Sequence, residues 1–189
     1  MTPAVLIASV SAGEAELAEP VALPPRAPSV VVPVLHSFVL MTLVRGAESY
    51  LYPDPFSKPK YFGDHYEEAF TRPPLFDTSK PAFRWDGDPL SINLVGHGLY
   101  GSEFYMRARQ CRWGGVGSFF FAAATSAVWE YAFEANGTRP SAQDLVYTPL
   151  AGVVLGEARY RLYRWTESRV VRAAMDPFGE IERALGSGC

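Results

Sequence analysis

Three helix-length segments carry small or polar side chains along one face, and this feature limits the folds open to the chain. Segment A runs from about Pro89 to Arg109, segment B from about Gly115 to Ala135, and segment C from Ser141 to about Trp165. Side chains four residues apart share a face of a helix. These rows contain Asn93, His97 and Gly101 in A; Ser118, Ala122, Ser126 and Glu130 in B; and Asp144, Thr148, Gly152 and Gly156 in C.

The bulky residues of segments B and C lie off the small rows. Examples are residues 119–121, which are all Phe, and residues 153–155, which are Val, Val and Leu. Helices of water-soluble proteins usually turn Leu, Ile and Phe toward the core, whereas helices in lipid pack through small residues. We therefore expect the three helices to contact one another through their slimmest side chains and to direct the bulky ones outward.

Charge is sparse in this chain. Only 20% of the 189 residues are charged, against about 25% in ordinary soluble domains. The 18 positions from Ala27 to Val44 carry no formal charge apart from a possible proton on His36, which reaches the lower edge of a membrane span. Pro33 and His36 leave a spanning helix and a merely buried helix equally open.

These patterns predict an all-α, membrane-associated bundle of four main helices. The first helix is expected from about Ser29 to Val44, and segments A, B and C supply the others. A long Pro- and aromatic-rich loop over residues 46–88 joins the first helix to A, with a helical turn or two around residues 64–70. Residues 1–27 are interpreted as a truncated export signal or a disordered linker, residues 28–186 as one helical domain, and residues 187–189 as a tail.

Several classes of function are excluded by composition. The net charge is −3 with no basic run of five or more residues, so a general nucleic-acid surface is not expected. Cys111 and Cys189 lie in no zinc-type Cys or His spacing and cannot form a disulfide scaffold. We assign no metal ligand and no cofactor. No GxSxG elbow is present for a nucleophilic serine.

Arginines are distributed unevenly between the two ends of the expected bundle. Short connections make A, B and C run up, down and up, which leaves only Arg139 on one side. The other side collects Arg107, Arg109, Arg112, Arg159, Arg161, Arg164, Arg169 and Arg172. This asymmetry matches the positive-inside tendency and favours a lipid bilayer as partner, with a protein partner in the envelope also open.

The same antiparallel arrangement carries Asn93, His97, Glu130 and Asp144 toward one end of the bundle. An imidazole and two carboxylates there are suited to acid–base work on a lipid headgroup or to holding a metal. We therefore name His97, Glu130 and Asp144 as candidate catalytic residues. The structural alternative makes Asp144 a helix cap with Ser141, and makes Glu130 and His97 a mutually satisfied buried pair.

An ordered set of residues resembles a known bacterial family. It begins with Asn93-x-x-x-His97-x-x-x-Gly101-Ser102 and continues with Ser126-x-x-Trp129-Glu130, Asp144-Leu145, Gly156-Glu157 and Asp176-Pro177. Over residues 82–186 this set resembles the bacterial domain-of-unknown-function family 3943. The resemblance implies a membrane of the bacterial cell envelope, inner or outer. Leu94 stands where the family usually has Pro and Tyr100 where it has a second His, which makes a metal site less expected.

Candidate binding residues are Asn93, Tyr100, Ser126, Trp129, Glu157 and Arg161. The leading hypothesis for function is a structural or interaction module in which polar residues fix helix packing. Its rival is an enzyme or metal-binding protein that uses His97, Glu130 and Asp144. A third possibility is a soluble exported domain that binds a small ligand.

Overall fold

Helices form the regular structure of residues 27–189, which are the residues that the computed structural model describes. The α-helices are α1 (Val31–Leu51), α2 (Pro53–Phe56), α3 (Phe62–Thr71), α4 (His97–Gln110), α5 (Gly115–Val128), α6 (Ala142–Ala151), α7 (Glu157–Trp165), α8 (Arg169–Met175) and α9 (Pro177–Ala184). Residues 27–189 contain no strand, only an isolated bridge between Leu75 and Ser141. The all-α class is confirmed.

Segments A, B and C are the central rods of the fold, and each contains a π-helical stretch. Ser91–Gly96 precedes α4, Trp129–Glu134 continues α5, and Gly152–Gly156 joins α6 to α7. The predicted ends of the three segments agree with the structure within two residues. As expected, Ser141 caps α6, because its Oγ accepts a hydrogen bond from the Asp144 backbone N–H at 3.2 Å.

The bundle has more helices than the four that were predicted. Helix α1 extends seven residues beyond Val44, its predicted end. The charged residues after Val44 do not end the helix, because Arg45 and Glu48 pair within it, with Arg45 Nη1 3.1 Å from Glu48 Oε2. The expected turns around residues 64–70 are α3. Helices α8 and α9 were missed, although Asp176 caps α9 through the Gly179 N–H at 3.0 Å.

The small rows pack against one another as predicted. An ideal Cβ on Gly152 would lie 2.7 Å from the Gly101 carbonyl oxygen, and one on Gly156 would lie 2.9 Å from the Ser102 carbonyl oxygen. The backbones of α4 and the Gly152–Gly156 stretch are therefore in direct contact. Three of the six bulky residues, Phe120, Val154 and Leu155, face outward, with Phe120 64% and Val154 69% exposed. The prediction is wrong for the other three: Phe121 is buried against Trp113, and Phe119 and Val153 are partly buried against the same core.

A buried ionic network fastens the C-terminal helices to α4 at the end opposite the residue 46–88 loop. The fully buried Arg107 Nη2 donates to Asp176 Oδ1 at 2.8 Å and to Glu103 Oε1 at 3.0 Å. A disulfide joins Cys111 to Cys189, 78 residues apart. The two cysteines thus form a single cross-link that sequence spacing did not predict, and the chain end is held in place.

Among the described residues, α1 is the one helix whose length and composition would allow it to cross a membrane. The interpretation of the N-terminus as a signal or linker falls almost entirely on residues 1–26, outside the described part of the chain.

Candidate functional site

Acidic side chains from four parts of the chain converge on one end of the bundle. Its centre is His97, Glu130 and Glu134, each of which offers a ligand-type atom within 4.8 Å of the other two. Asp144 lies beside them, with its Oδ2 3.7 Å from His97 Nε2. We call these four buried residues the carboxylate–imidazole cluster. Sequence analysis predicted that His97, Glu130 and Asp144 would reach one end, and the structure brings these three together.

Local helix geometry positions each member of this cluster. His97 is the first residue of α4, directly after the π-helical Ser91–Gly96. Glu130 and Glu134 both belong to the π-helical Trp129–Glu134 stretch at the end of α5. Asp144 occupies the first turn of α6. Short π-helical insertions in α-helices are frequent at functional sites.

The imidazole of His97 is oriented so that one ring nitrogen faces the acids. Its Nδ1 lies 3.0 Å from the hydroxyl oxygen of the buried Thr148. When Nδ1–H donates to that oxygen, Nε2 keeps its lone pair and is able to coordinate a cation. A hydrogen bond of this kind on the second nitrogen is what usually fixes a metal-ligating histidine.

Glu130 has one satisfied and one unsatisfied oxygen. Its Oε2 accepts the Ser141 backbone N–H at 2.7 Å, which holds the carboxyl group in place. Its Oε1 is buried and has no hydrogen-bond partner. The pairing of Glu130 with His97 that sequence analysis left open does not account for this oxygen, because the partners of His97 are Thr148 and Asp144.

Two neighbouring amides repeat this imbalance. Asn93 donates its Nδ2 to Asp86 Oδ1 at 2.7 Å, and Gln143 donates its Nε2 to Asp144 Oδ1 at 3.2 Å. The carbonyl oxygens of both amides are buried without a partner. Together with Glu130 Oε1 they make three buried acceptors that lack a donor, and each such group costs about 1–3 kcal/mol. A bound cation would stabilise buried oxygen acceptors of this kind.

Loop residues add further negative charge at the edge of the cluster. Burial acts to raise the pKa of Asp86, but hydrogen bonds from Ser141, the Asp88 backbone and Asn93 outweigh it and hold that pKa below its usual range. Burial and the charge of Asp86 raise the pKa of Asp88. Asp86 therefore remains an anion beside the buried acids.

These acids lie too close together for all of them to be ionised at once. Asp86 and Asp144 share a hydrogen bond, which requires a proton between the two carboxyl groups. Ligand-type oxygens of Glu130 and Glu134 lie within 4.8 Å, where two unit charges repel by roughly 3 kcal/mol at an effective dielectric constant of about 20. Arg45 is the arginine at this end that pairs with an acid, Glu48, at 3.1 Å. A divalent cation would compensate the remaining charge.

The other predicted binding residues divide into two groups. Ser126 donates its Oγ to the Asp144 carbonyl at 3.2 Å, and the Tyr100 and Trp129 rings lie beside the cluster with centroids 5.2 Å apart. Glu157 and Arg161 are not brought to the cluster. Glu157 instead accepts hydrogen bonds from Arg161 Nε and Arg109 Nε, both at 2.9 Å, near the opposite end of the bundle.

Sequence reasoning missed three acids at this end. Glu134 stands four residues after Glu130, so the helical period could have identified it as a second carboxylate on the same face. Asp86 lies in the irregular loop, where no period applies. Glu48 lies beyond the predicted end of the first helix and was therefore never placed near the cluster.

These features define the protein as an all-α bundle with a buried carboxylate–imidazole cluster at one end. The chain belongs to the family described as "Domain of unknown function (DUF3943)", which matches residues 82–185, more than half of its length. The resemblance seen in the sequence is confirmed, and all four residues of the cluster lie within the matched part. No curated protein and no solved structure matches the chain.

Proposed function

We propose that this protein binds a divalent cation through His97, Glu130 and Glu134, in a helical bundle that resides in a membrane of the bacterial cell envelope. The observation that carries the proposal is the buried, unpartnered Oε1 of Glu130 inside a group of three ligand-type side chains. A purely structural cluster would be expected to satisfy its own acceptors.

One imidazole nitrogen and two carboxylate oxygens suit a borderline or moderately hard ion such as Zn²⁺, Fe²⁺ or Mn²⁺. Three protein ligands leave a coordination position open, as in catalytic metal sites. A cation with an open position activates a bound water for hydrolysis. The candidate role is therefore metal-assisted hydrolysis. Asp144 Oδ2 lies 3.7 Å from His97 Nε2, and because Asp144 carries the proton that it shares with Asp86, it would act as a hydrogen-bonding neighbour of the site.

The outer surface of the bundle supports the membrane part of the proposal. Large apolar side chains are exposed on α1, α5 and the Gly152–Gly156 stretch, including Leu43, Phe120 and Val154, each 64% exposed or more. The interior holds Gly, Ser and charged residues beside an apolar core that includes Phe104 and Trp129. Small inward and bulky outward side chains are the packing that lipid favours. Soluble monomers rarely expose large contiguous apolar patches.

The Cys111–Cys189 disulfide supports an envelope location, because disulfides persist in oxidising compartments and are rare in the cytosol. The arginine asymmetry of the sequence supports no particular orientation. Three arginines of that end, Arg107, Arg109 and Arg159, pair with carboxylates at 2.7–2.9 Å. Their charges are therefore largely compensated within the fold.

A titration of the purified protein with Mn²⁺, followed through the EPR signal of free Mn²⁺, tests the cation site. We expect one tightly bound ion per chain, and at least a hundredfold weaker binding in Glu130→Gln, since loss of even an outer-shell partner costs about 10–100-fold. Glu157→Gln is the matched control, because it removes a partly buried carboxylate outside the cluster. Absence of binding in the wild type, or equal binding in Glu130→Gln with native circular dichroism, would favour the packing module instead.

A carbonate wash of membranes tests the location. Retention of the protein in the pellet is expected for a bundle surrounded by lipid. Release into the supernatant would favour a soluble exported binding domain and would contradict the membrane part of the proposal.

A further inference from the structure

A groove of about 670 Å³ runs beside the carboxylate–imidazole cluster. It lies between α1, the start of α4 and the α8–α9 region, and its walls include Leu40, Val44, Ile92, Trp129, Met175 and Phe178. This volume is within the range of about 300–1,000 Å³ that small-molecule sites occupy. The groove is therefore large enough for an elongated apolar ligand.

The groove and the cluster share a wall. His97 and Glu48 line the groove, as does Tyr100, whose hydroxyl is buried without a hydrogen-bond partner. The Tyr100 ring lies against Trp129 with centroids 5.2 Å apart. A ligand in the groove would thus meet one unused hydroxyl donor and the imidazole of the proposed cation site. The rest of the lining is mostly apolar, apart from Glu103 and Arg159, which pair with each other at 2.7 Å.

The rim of the groove opens on the apolar perimeter of the bundle. Ile92 and Leu99 both line the groove and are exposed at its edge. A chain dissolved among lipids would reach the groove sideways without passing a charged surface. Glu103 and Arg159 are already paired with each other, whereas the Tyr100 hydroxyl has no hydrogen-bond partner. We therefore expect the polar end of an amphiphile to lie toward Tyr100 and the cluster.

We propose that the groove binds one acyl chain of a lipid or fatty acid whose anionic head faces the cation at His97. This inference deepens the proposed function and rests on it for the head, because the acids alone would repel an anion. The Tyr100 hydroxyl donates to a head oxygen, and the apolar walls exclude water from the chain. The substrate class of the site is then an acylated amphiphile with a carboxylate or phosphate head.

Photolabelling in vesicles tests the groove. The protein is placed with Mn²⁺ in phosphatidylcholine vesicles that contain a trace of a fatty acid bearing a diazirine at its chain end, and adducts are mapped by peptide mass spectrometry. We expect adducts to concentrate on the α1 and α9 peptides that carry Leu40 and Phe178. The α5 peptide with Phe120, which faces bulk lipid in the proposal, provides the background.

Ala174 and Ala173 offer a matched pair of variants, because both are exposed and only Ala174 lines the groove. Ala174→Trp is expected to lower groove labelling about tenfold, which corresponds to the loss of apolar contacts by roughly two methylene groups of the ligand. Ala173→Trp is expected to leave the labelling unchanged. Equal labelling of groove and perimeter peptides, or no effect of Ala174→Trp, would overturn the proposal.

A second probe distinguishes binding of the acyl chain from binding of the head group. It also distinguishes failure of this inference from failure of the proposed function. EDTA should weaken groove labelling by the fatty acid but not by a fatty alcohol with the same diazirine chain. If EDTA changes the groove labelling by neither probe, the head does not meet a cation and the inference fails. Mn²⁺ binding is measured on the same samples: binding without groove labelling overturns the inference alone, whereas absent binding overturns the proposed function and the assignment of the head.

Discussion

Removal of the charge on Glu130 is expected to stabilise the metal-free protein, although Glu130 is one of its most buried side chains. In Glu130→Gln the amide oxygen still accepts the Ser141 N–H, which lies 2.7 Å from Glu130 Oε2 in the wild type. The new NH₂ group supplies a donor where Oε1 has no partner. The substitution therefore repairs a deficit of donors and removes any charge that Glu130 carries beside Glu134.

The size of this effect follows from the geometry. Two full charges within the 4.8 Å that separates the ligand atoms of Glu130 and Glu134 repel by roughly 3 kcal/mol at an effective dielectric constant of about 20. Shared protons reduce that value, so we expect a gain of about 1–3 kcal/mol. A change of 1 kcal/mol shifts the melting temperature of a chain of this size by about 2–4 °C, which predicts a rise of about 2–12 °C.

Thermal unfolding in detergent with EDTA, followed by circular dichroism, measures this shift. Added Mn²⁺ should raise the melting temperature of the wild type, because a ligand that binds only the folded state stabilises it, and should leave that of Glu130→Gln unchanged. Glu157→Gln should lower stability by no more than about 1 kcal/mol. A fall in the melting temperature of metal-free Glu130→Gln would refute the reasoning, because it would show that the carboxylate is already satisfied.

Three further predictions address the rest of the fold and are checked by the same unfolding assay. Arg107→Leu should cost about 3–5 kcal/mol, since it leaves buried Asp176 and Glu103 without their shared cation, whereas Arg161→Leu, which removes a 61% exposed partner of Glu157, should stay within about 1 kcal/mol. Gly152→Val should cost at least about 1–3 kcal/mol, because a Cβ there would lie 2.7 Å from the Gly101 carbonyl oxygen, while Gly46→Ala should be tolerated, since no atom lies within 4 Å of its added Cβ. Cys189→Ser should cost about 2–5 kcal/mol, and a melting temperature equal to the wild type would show that the chain end does not depend on its link to Cys111.

Local signals in the sequence predicted the central helices well. Periodic small residues, the start of segment B at Gly115 and the cap at Ser141 act over one or two turns, so they are visible without the fold. The pairing of Arg107 with Asp176 joins residues 69 positions apart, and no local pattern reports it. Helices α8 and α9 lie on either side of Asp176 and were missed, although Asp176 supplies a local cap for α9.

The candidate site was predicted in part for the same reason. Antiparallel connection of three helices is enough to bring His97, Glu130 and Asp144 to one end, and this required no knowledge of side-chain contacts. The loop that contributes Asp86 has no period, so its return over the cluster could not be predicted. Whether the cluster satisfies its own hydrogen bonds is a property of three-dimensional geometry, and the unpartnered acceptors became visible only in the structure.

The most direct test of a cation held by this cluster is pulsed EPR of bound Mn²⁺, which detects nitrogen from a coordinated imidazole. The chain has three histidines, and the account predicts coupling to a single one. The coupling should be present in the wild type and in His65→Gln and absent in His97→Gln. Bound Mn²⁺ without nitrogen coupling, or coupling that persists in His97→Gln, would contradict the assignment of the site.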